Sequence, residues 1–246
     1  MRLSLRYSGV MTTILLTGSS RGIGAAAKAS LEARGAKVIG QATSSKAVDT
    51  VPADFCEPGA PHELWEAALA RTGGEIDVLI NNAGLFDPNP LDRSDIEWLD
   101  AWEDTMRINL TASAQLSRFA VKHWQERGFS GRIVHVASRA AHRGDSPAHW
   151  HYAASKGGML AMHKTIARQY AHQGILSFAI TPGFTDTAMA GDYLESRGGA
   201  GLLADIPLGR VAEPEEMARI ITFCALDAPA SMTGATLDAN GASYVR

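Results

Sequence analysis

The sequence predicts an α/β domain built on a doubly wound parallel sheet with helices on both faces, and three observations carry this reading. From Thr12 onward short β-branched or apolar runs alternate with longer amphipathic stretches, as repeated βαβ units require. A glycine cluster, Gly18-Ser19-Ser20-Arg21-Gly22-Ile23-Gly24, follows the first of these runs and opens an alanine-rich helical stretch. The composition, 46% apolar, 20% charged and 7% aromatic over 246 residues, is that of a chain able to bury a substantial core. No Ser/Pro/charge-rich linker divides it, so a single domain is expected at 12–246, behind an N-terminal tail at 1–11.

The elements follow in order. A first strand at Thr13–Thr17 leads into a helix at Gly22–Arg34, and strands at Lys37–Gln41 and Thr50–Ala53 come next, too close together for a full crossover helix. A helix at His62–Thr72 precedes a strand at Val78–Asn81. A long helix at Ile96–Arg127 and a strand at Arg132–Ala137 follow, then a helix at His151–His172 and a strand at Leu176–Ile180. Glu213-Pro214-Glu215-Glu216 places acids and a proline in the first turn of a helix running to Ala225, and Thr236–Asp238 reads as the last strand. The stretch 186–208 has no regular pattern and carries Met189, Tyr193, Leu194, Leu202 and Leu203 among glycines, so it is read as a substrate lid.

Several function classes are disfavoured. Acids number 26 and bases 23, a net charge of -3 without a basic block, so no stripe for nucleic acid is expected. Cys56 and Cys224 form neither a disulfide framework nor a CxxC motif, which suits a reducing cytoplasm. Met1–Arg6 carries two arginines but no apolar stretch or cleavage site, and no run reaches the roughly 18 apolar residues of a membrane span, so neither signal nor membrane anchor is expected. His149 and His151 flank Trp150 without a carboxylate or cysteine at ligand spacing, so no metal is expected; His149 and Trp150 are instead placed at the border of a substrate pocket. Trp65, Trp98, Trp102 and Trp124 fall in helical stretches and read as packing residues.

The glycine cluster points to an anionic nucleotide. Glycines permit a tight turn, and the free N–H groups of the following helix face a phosphate, which makes Gly18, Ser20, Arg21, Gly22, Ile23 and Gly24 the expected contacts. An acid at the end of the second strand would bind a ribose 2'-hydroxyl, but the sequence there is Gly40-Gln41-Ala42-Thr43-Ser44-Ser45. Thr43 and Arg21 instead suit a 2'-phosphate, so NADP(H) is favoured and NAD(H) comes second. Asp54, with Phe55 beside it, is expected at the adenine, and Asn81-Asn82-Ala83-Gly84 closes the fourth strand with a turn where a cofactor approaches the backbone at Asn82, Ala83 and Gly84.

Tyr152 and Lys156 are four apart in a helical run and so share one face. A nearby ammonium and an oxidised nicotinamide both favour the phenolate, so the tyrosine pKa is expected to fall and Tyr152 to serve as acid or base at a carbonyl oxygen. Lys156 also reaches the ribose hydroxyls. Ser138, ending the fifth strand, is placed to steady the substrate oxygen, and Asn109 to hold a water against Lys156.

With these residues in hand, the chain resembles the short-chain dehydrogenase/reductase family from Thr12 to about Ala242. The resemblance rests on Thr17–Gly24, Asn81-Asn82-Ala83-Gly84, Asn109, Ser138, Tyr152 with Lys156, and Thr181-Pro182-Gly183 followed by Thr187, all in the family's order. It implies a Rossmann-type fold and an Asn-Ser-Tyr-Lys tetrad at Asn109, Ser138, Tyr152 and Lys156. It further implies that Pro182, Gly183 and Thr187 lie near the nicotinamide carboxamide, and that copies assemble as homo-tetramers or homo-dimers through Ile96–Arg127 and His151–His172. Within the family, Lys37-Val38-Ile39-Gly40 and Ala42-Thr43-Ser44 look like bacterial 3-oxoacyl-acyl-carrier-protein reductases, although Phe129 and Gln173 stand where those carry arginines for the carrier protein. The function expected is therefore NADP(H)-dependent interconversion of a small-molecule ketone or aldehyde and its alcohol. A 3-oxoacyl thioester reductase is the alternative, and a non-catalytic NADP(H)-sensing protein the remote one.

Overall fold

The computed structural model describes residues 11–44, 47–187 and 199–246, and of 199, 200 and 202 the backbone alone. The expected tail up to residue 10, Ser45, and the part of the expected lid that holds Met189, Tyr193 and Leu194 lie outside the described residues.

Seven strands form one sheet: β1 (Thr13–Leu16), β2 (Lys37–Ala42), β3 (Thr50–Pro52), β4 (Val78–Asn81), β5 (Gly131–Val136), β6 (Ile175–Pro182) and β7 (Thr236–Ala239). Their order is β3-β2-β1-β4-β5-β6-β7, and every pairing is parallel. Each expected strand is present, and β6 runs two residues further than expected, to Pro182. Side chains alternate along each strand, so Ile14, Leu16, Val78, Ile80, Val134 and Val136 share one core layer, while Leu15, Leu79 and Ile133 share the other. The register pairs Leu15 with Leu79 and Leu79 with Ile133, and a slip of one residue would send both layers to the wrong face.

Helices α1 (Gly22–Ala33) and α8 (Pro214–Thr222) cover the first layer, with Leu31 and Ile221 buried beneath them. Helices α2 (Ala60–Arg71), α4 (Ala112–Arg127) and α6 (Trp150–Tyr170) cover the second, contributing Leu64, Trp65, Leu116, Trp124 and Ile166. Trp65 and Trp124 thus pack as expected, and Trp124 Nε1 donates to the Ile76 carbonyl at 2.7 Å. Two short helices, α5 (Ala140–Arg143) and α7 (Gly199–Ala204), lie in stretches where none was expected.

The helix expected at Ile96–Arg127 is interrupted. It begins as α3 (Asp95–Met106) behind a Ser94–Glu97 capping box, passes through a five-residue π-helical turn at Arg107–Thr111, and continues as α4. Single π-turns inside α-helices recur at functional sites, and this one carries Asn109. Successive strands are laid outward from β1 in one direction and from β4 in the other, so a crevice opens where the chain reverses, at the carboxyl ends of β1 and β4. No helix among the described residues is long and apolar enough to cross a membrane.

Candidate active site

The loop between β1 and α1 forms one wall of that crevice. Gly18 has φ +65°, and a Cβ there would come within 2.8 Å of the Ala83 Cα, while a Cβ on Gly24 would overlap the Gly18 carbonyl. The loop is tied to the end of β4 by side chains. Thr17 Oγ1 accepts from the backbone N–H groups of Asn82 at 2.9 Å and Ala83 at 3.0 Å, and Asn82 Nδ2 donates to the carbonyls of Thr17 and Gly18, both at 3.0 Å. Buried Gln41 completes the clamp: its Oε1 accepts from Gly18 N at 2.8 Å, and its Nε2 donates to the Ala53 carbonyl at 2.7 Å. Arg21, at the N-cap of α1, makes no side-chain cap bond, so the first-turn amides of α1 remain available to a ligand. This uncapped helix start behind a glycine turn fits a dinucleotide pyrophosphate.

At the far end of the same crevice, exposed Thr43 and Ser44 line the wall with exposed Arg21. Two hydroxyls and a guanidinium on one rim, with no carboxylate lining it, are a donor set for an additional phosphate. Asp54 and Phe55 are not brought to this wall. Asp54 is exposed and accepts from Cys56 N at 3.0 Å, and Phe55 packs into the core under α2, so its side chain serves burial rather than the adenine contact expected of it.

At the other end, Ser138, Tyr152 and Lys156 face one another across a cavity of about 480 Å³. Lys156 is buried, with Nζ donating to the Val136 carbonyl at 2.9 Å and lying 5.8 Å from the Tyr152 ring centroid. Ser138 is buried at the end of β5; its Oγ accepts from Ala140 N at 3.1 Å, and its hydroxyl favours the ionised form of Tyr152. The tyrosine pKa does not fall as expected. Burial pushes it up to about 12, Ser138's hydrogen bond pulls the other way, and the Asp145 charge raises it further. Burial also pulls Lys156 down to about 8, because the interior disfavours an ammonium as much as a phenolate.

Asn109 lies behind this wall rather than on it. Its Oδ1 accepts from Leu85 N at 2.7 Å, and its Nδ2 donates to the Leu85 carbonyl at 3.0 Å and to Ser155 Oγ at 3.1 Å. These bonds fix the turn after β4 against α6. A Cβ on Gly84 would sit 3.4 Å from Asn109 Oδ1 and 3.5 Å from Lys156 Nζ, so the absence of a side chain there lets the two approach.

The structure brings the other expected contacts to the cavity: Ser20, Gly22, Ile23, Gly84, Pro182, Gly183 and Thr187 all line it. Thr187 reaches across to the glycine loop, since a Cβ on Gly22 would lie 2.9 Å from its Cγ2. His149 is buried behind Phe86, stacked at 4.1 Å between centroids, with Ser146 Oγ 2.6 Å from its Nδ1. Trp150 is exposed and packs edge-on against Trp98, so neither residue borders the cavity as expected. Sequence reasoning missed Leu85, Phe86, Arg139, Asp145 and Phe184, which do line it. Leu85, Phe86, Arg139 and Phe184 have adjacency as their sequence signal, each lying within two residues of Gly84, Ser138 or Gly183, whereas Asp145 lies seven from both Ser138 and Tyr152.

Comparison with known proteins agrees with this geometry. Residues 18–241 match the family model described as enoyl-(acyl carrier protein) reductase. The chain is 35% identical to the 3-oxoacyl-[acyl-carrier-protein] reductase of Haemophilus influenzae, over 94% of this chain and 97% of that protein. It is 34% identical to the corresponding reductase of Escherichia coli, over 94% and 96%. A crystal structure from Agrobacterium tumefaciens with NADP bound, of a protein provisionally assigned as a 2-deoxy-d-gluconate 3-dehydrogenase, superposes with a TM-score of 0.81 at 27% identity, covering 94% of this chain and 95% of that one. The chain belongs to the short-chain dehydrogenase/reductase family, oxidoreductases that act on CH–OH and C=O groups.

Proposed function

We propose that this protein is an NADP(H)-dependent carbonyl reductase that interconverts a small-molecule ketone or aldehyde and its alcohol, with Tyr152 as the acid and base. The observation that carries this reading is the Tyr152 phenol, which lines the cavity together with Ser138 and lies one helical turn from buried Lys156. When bound, the nicotinamide supplies or takes the hydride. The chain's own groups do the rest. With its pKa pushed up to about 12, Tyr152 is protonated at neutral pH and can give its proton to a carbonyl oxygen. Ser138 shares that oxygen, and Lys156 places a positive charge near the tyrosine that lessens the cost of the phenolate left behind.

The glycine loop and the first turn of α1 would hold the pyrophosphate, and Arg21, Thr43 and Ser44 the 2'-phosphate, which favours NADP(H) with NAD(H) second. The A. tumefaciens structure, which holds NADP, supports the same choice. Homo-dimeric or homo-tetrameric assembly through α3, α4 and α6 is supported by apolar side chains left exposed on two of these helices, Ile96 and Leu99 on α3 and Trp150 on α6. A cytoplasmic setting suits the two free cysteines. A 3-oxoacyl thioester is the second reading, favoured by the two reductase relatives.

The deciding experiment follows NADPH and NADH absorbance with acetoacetyl-CoA and, in parallel, with small ketones and aldehydes. Oxidation selective for NADPH is expected, and Tyr152→Phe should lower turnover by about 10²–10⁴-fold while NADPH still binds. Preference for the thioester would promote the second reading. Cofactor binding with no carbonyl reduced would instead identify a nucleotide-sensing protein.

A further inference from the structure

Among the described residues lining the cavity, the charged groups are Arg21, Arg139, Asp145 and Lys156. Arg21 stands at the nucleotide end. Lys156 is buried with its Nζ on the Val136 carbonyl, and the Arg139 guanidinium lies over the Phe184 ring, Cζ 4.6 Å from the centroid, with Nη1 withdrawn from solvent. Asp145 differs from these. Its side chain is exposed, its Oδ1 accepts from Ser146 N at 2.7 Å, and no cation among the described residues is ion-paired with its carboxylate. The loop that carries it is tied down on both sides: Gly144 N donates to the Ala140 carbonyl at 3.0 Å, Ser146 Oγ lies 2.6 Å from His149 Nδ1, and the Ala148 carbonyl accepts from Asn89 N at 2.8 Å. Its negative charge is felt at Tyr152. On the catalytic half of the cavity, the charge open to an entering substrate is therefore an anion.

We infer that Asp145 binds an ammonium group on the substrate, so that the protein interconverts amino ketones and amino alcohols. The inference rests on the reductase reading above and deepens it. A cavity whose accessible charge is a carboxylate draws in cations and repels anions, and a bound dinucleotide adds only further negative charge through its phosphates. The ammonium also helps the chemistry. As Tyr152 gives up its proton, a phenolate grows near the Asp145 charge, and the two like charges oppose each other. An ammonium held at Asp145 neutralises that charge, whereas an uncharged substituent leaves the opposition in place, so the cation assists the transition state as well as binding. The carbonyl carbon takes the hydride of the reduced nicotinamide and the oxygen takes the Tyr152 proton, while the ammonium keeps its own protons throughout. Leu85, Phe86 and Phe184 line the same cavity and supply apolar walls for the carbon skeleton.

The test compares wild type and Asp145→Asn on three amino ketones, 1-(dimethylamino)propan-2-one, 4-(dimethylamino)butan-2-one and 5-(dimethylamino)pentan-2-one. Each is paired with the uncharged ketone of the same shape: 4-methylpentan-2-one, 5-methylhexan-2-one and 6-methylheptan-2-one. NADPH oxidation gives kcat and KM, and NADPH fluorescence gives cofactor affinity without turnover. Wild type should favour at least one amino ketone over its uncharged partner by about fivefold or more in kcat/KM. Asp145→Asn keeps an acceptor for Ser146 N but removes the charge, so it should bring that pair level through a loss on the amino ketone, with NADPH still bound as in wild type. Equal use of the two ketones of every pair by wild type overturns the inference and leaves the reductase reading standing. So does a preference that survives in Asp145→Asn, and so does an equal loss on both ketones or weakened NADPH binding in that variant, since either would assign Asp145 to the fold or the cofactor. Failure of wild type to reduce any amino ketone overturns this inference, and failure extending to the ketones, aldehydes and acetoacetyl-CoA above would remove the reductase reading as well.

Discussion

Tyr152 and Lys156 share a helical face, yet burial moves their proton affinities toward each other, the phenol up to about 12 and the ammonium down to about 8. At neutral pH the pair is thus a phenol beside an ammonium, the state required to reduce a carbonyl. Lys156 is charged below about 8 and loses its proton as the pH rises through that value, while Tyr152 stays protonated. For reduction with NADPH as the varied substrate, kcat/KM reports groups of the free protein and should be level near neutrality, then fall about tenfold per pH unit above about 8. A stopped-flow or steady-state profile that stays level to about pH 9.5 would remove the Lys156 charge from the mechanism.

Between elements, the site depends on side chains that bind backbone rather than ligand. Asn109 joins the π-turn to Leu85 and to α6, and Thr17 joins the glycine loop to the end of β4. Replacing Thr17 with valine keeps the shape but leaves the amides of Asn82 and Ala83 without an acceptor. Each orphaned amide costs about 1–3 kcal/mol, so Thr17→Val should lower Tm by roughly 4–12 °C, readable by calorimetry. NADPH affinity should weaken by about tenfold, because the phosphate loop loses its registration against β4. An unchanged affinity in the destabilised variant would show that the loop holds its shape without the clamp.

Across the whole molecule, His135 of β5 and His163 of α6 are buried with their rings 5.8 Å apart. His163 sits within hydrogen-bond distance of Ser177 Oγ at 2.8 Å, and His135 of Asn81 at 3.4 Å. Burial pulls His135 down to about 3 and His163 to about 4, from the ordinary 6.5. In the unfolded chain both take up protons near pH 6.5, whereas in the folded chain they resist until much lower pH. Their contribution is complete above about 6.5 and is lost as the pH falls toward 4, at about 1.4 kcal/mol per pH unit for each histidine. Urea unfolding between pH 6.5 and 4.5 should therefore show a steeper loss of stability in wild type than in His135→Asn. Parallel slopes would place the acid sensitivity elsewhere.

The sequence alone determined the seven strands, their parallel class, the glycine loop and the Ser138, Tyr152 and Lys156 end of the cavity, because each is encoded locally. Strand periodicity, a strand-glycine-helix succession and a spacing of four are properties of a short window. What depends on distant segments meeting was decided only by the tertiary structure. The π-turn at Asn109 exists where that side chain meets Leu85 and Ser155, and Phe55 went into the core because α2 lies over it. Burial, a property of the assembled layers, reversed the expected direction at Tyr152. Arg139 in the sequence is one arginine among many, and it lines the cavity because the ends of β5 and β6 lie side by side with Phe184 beneath its guanidinium.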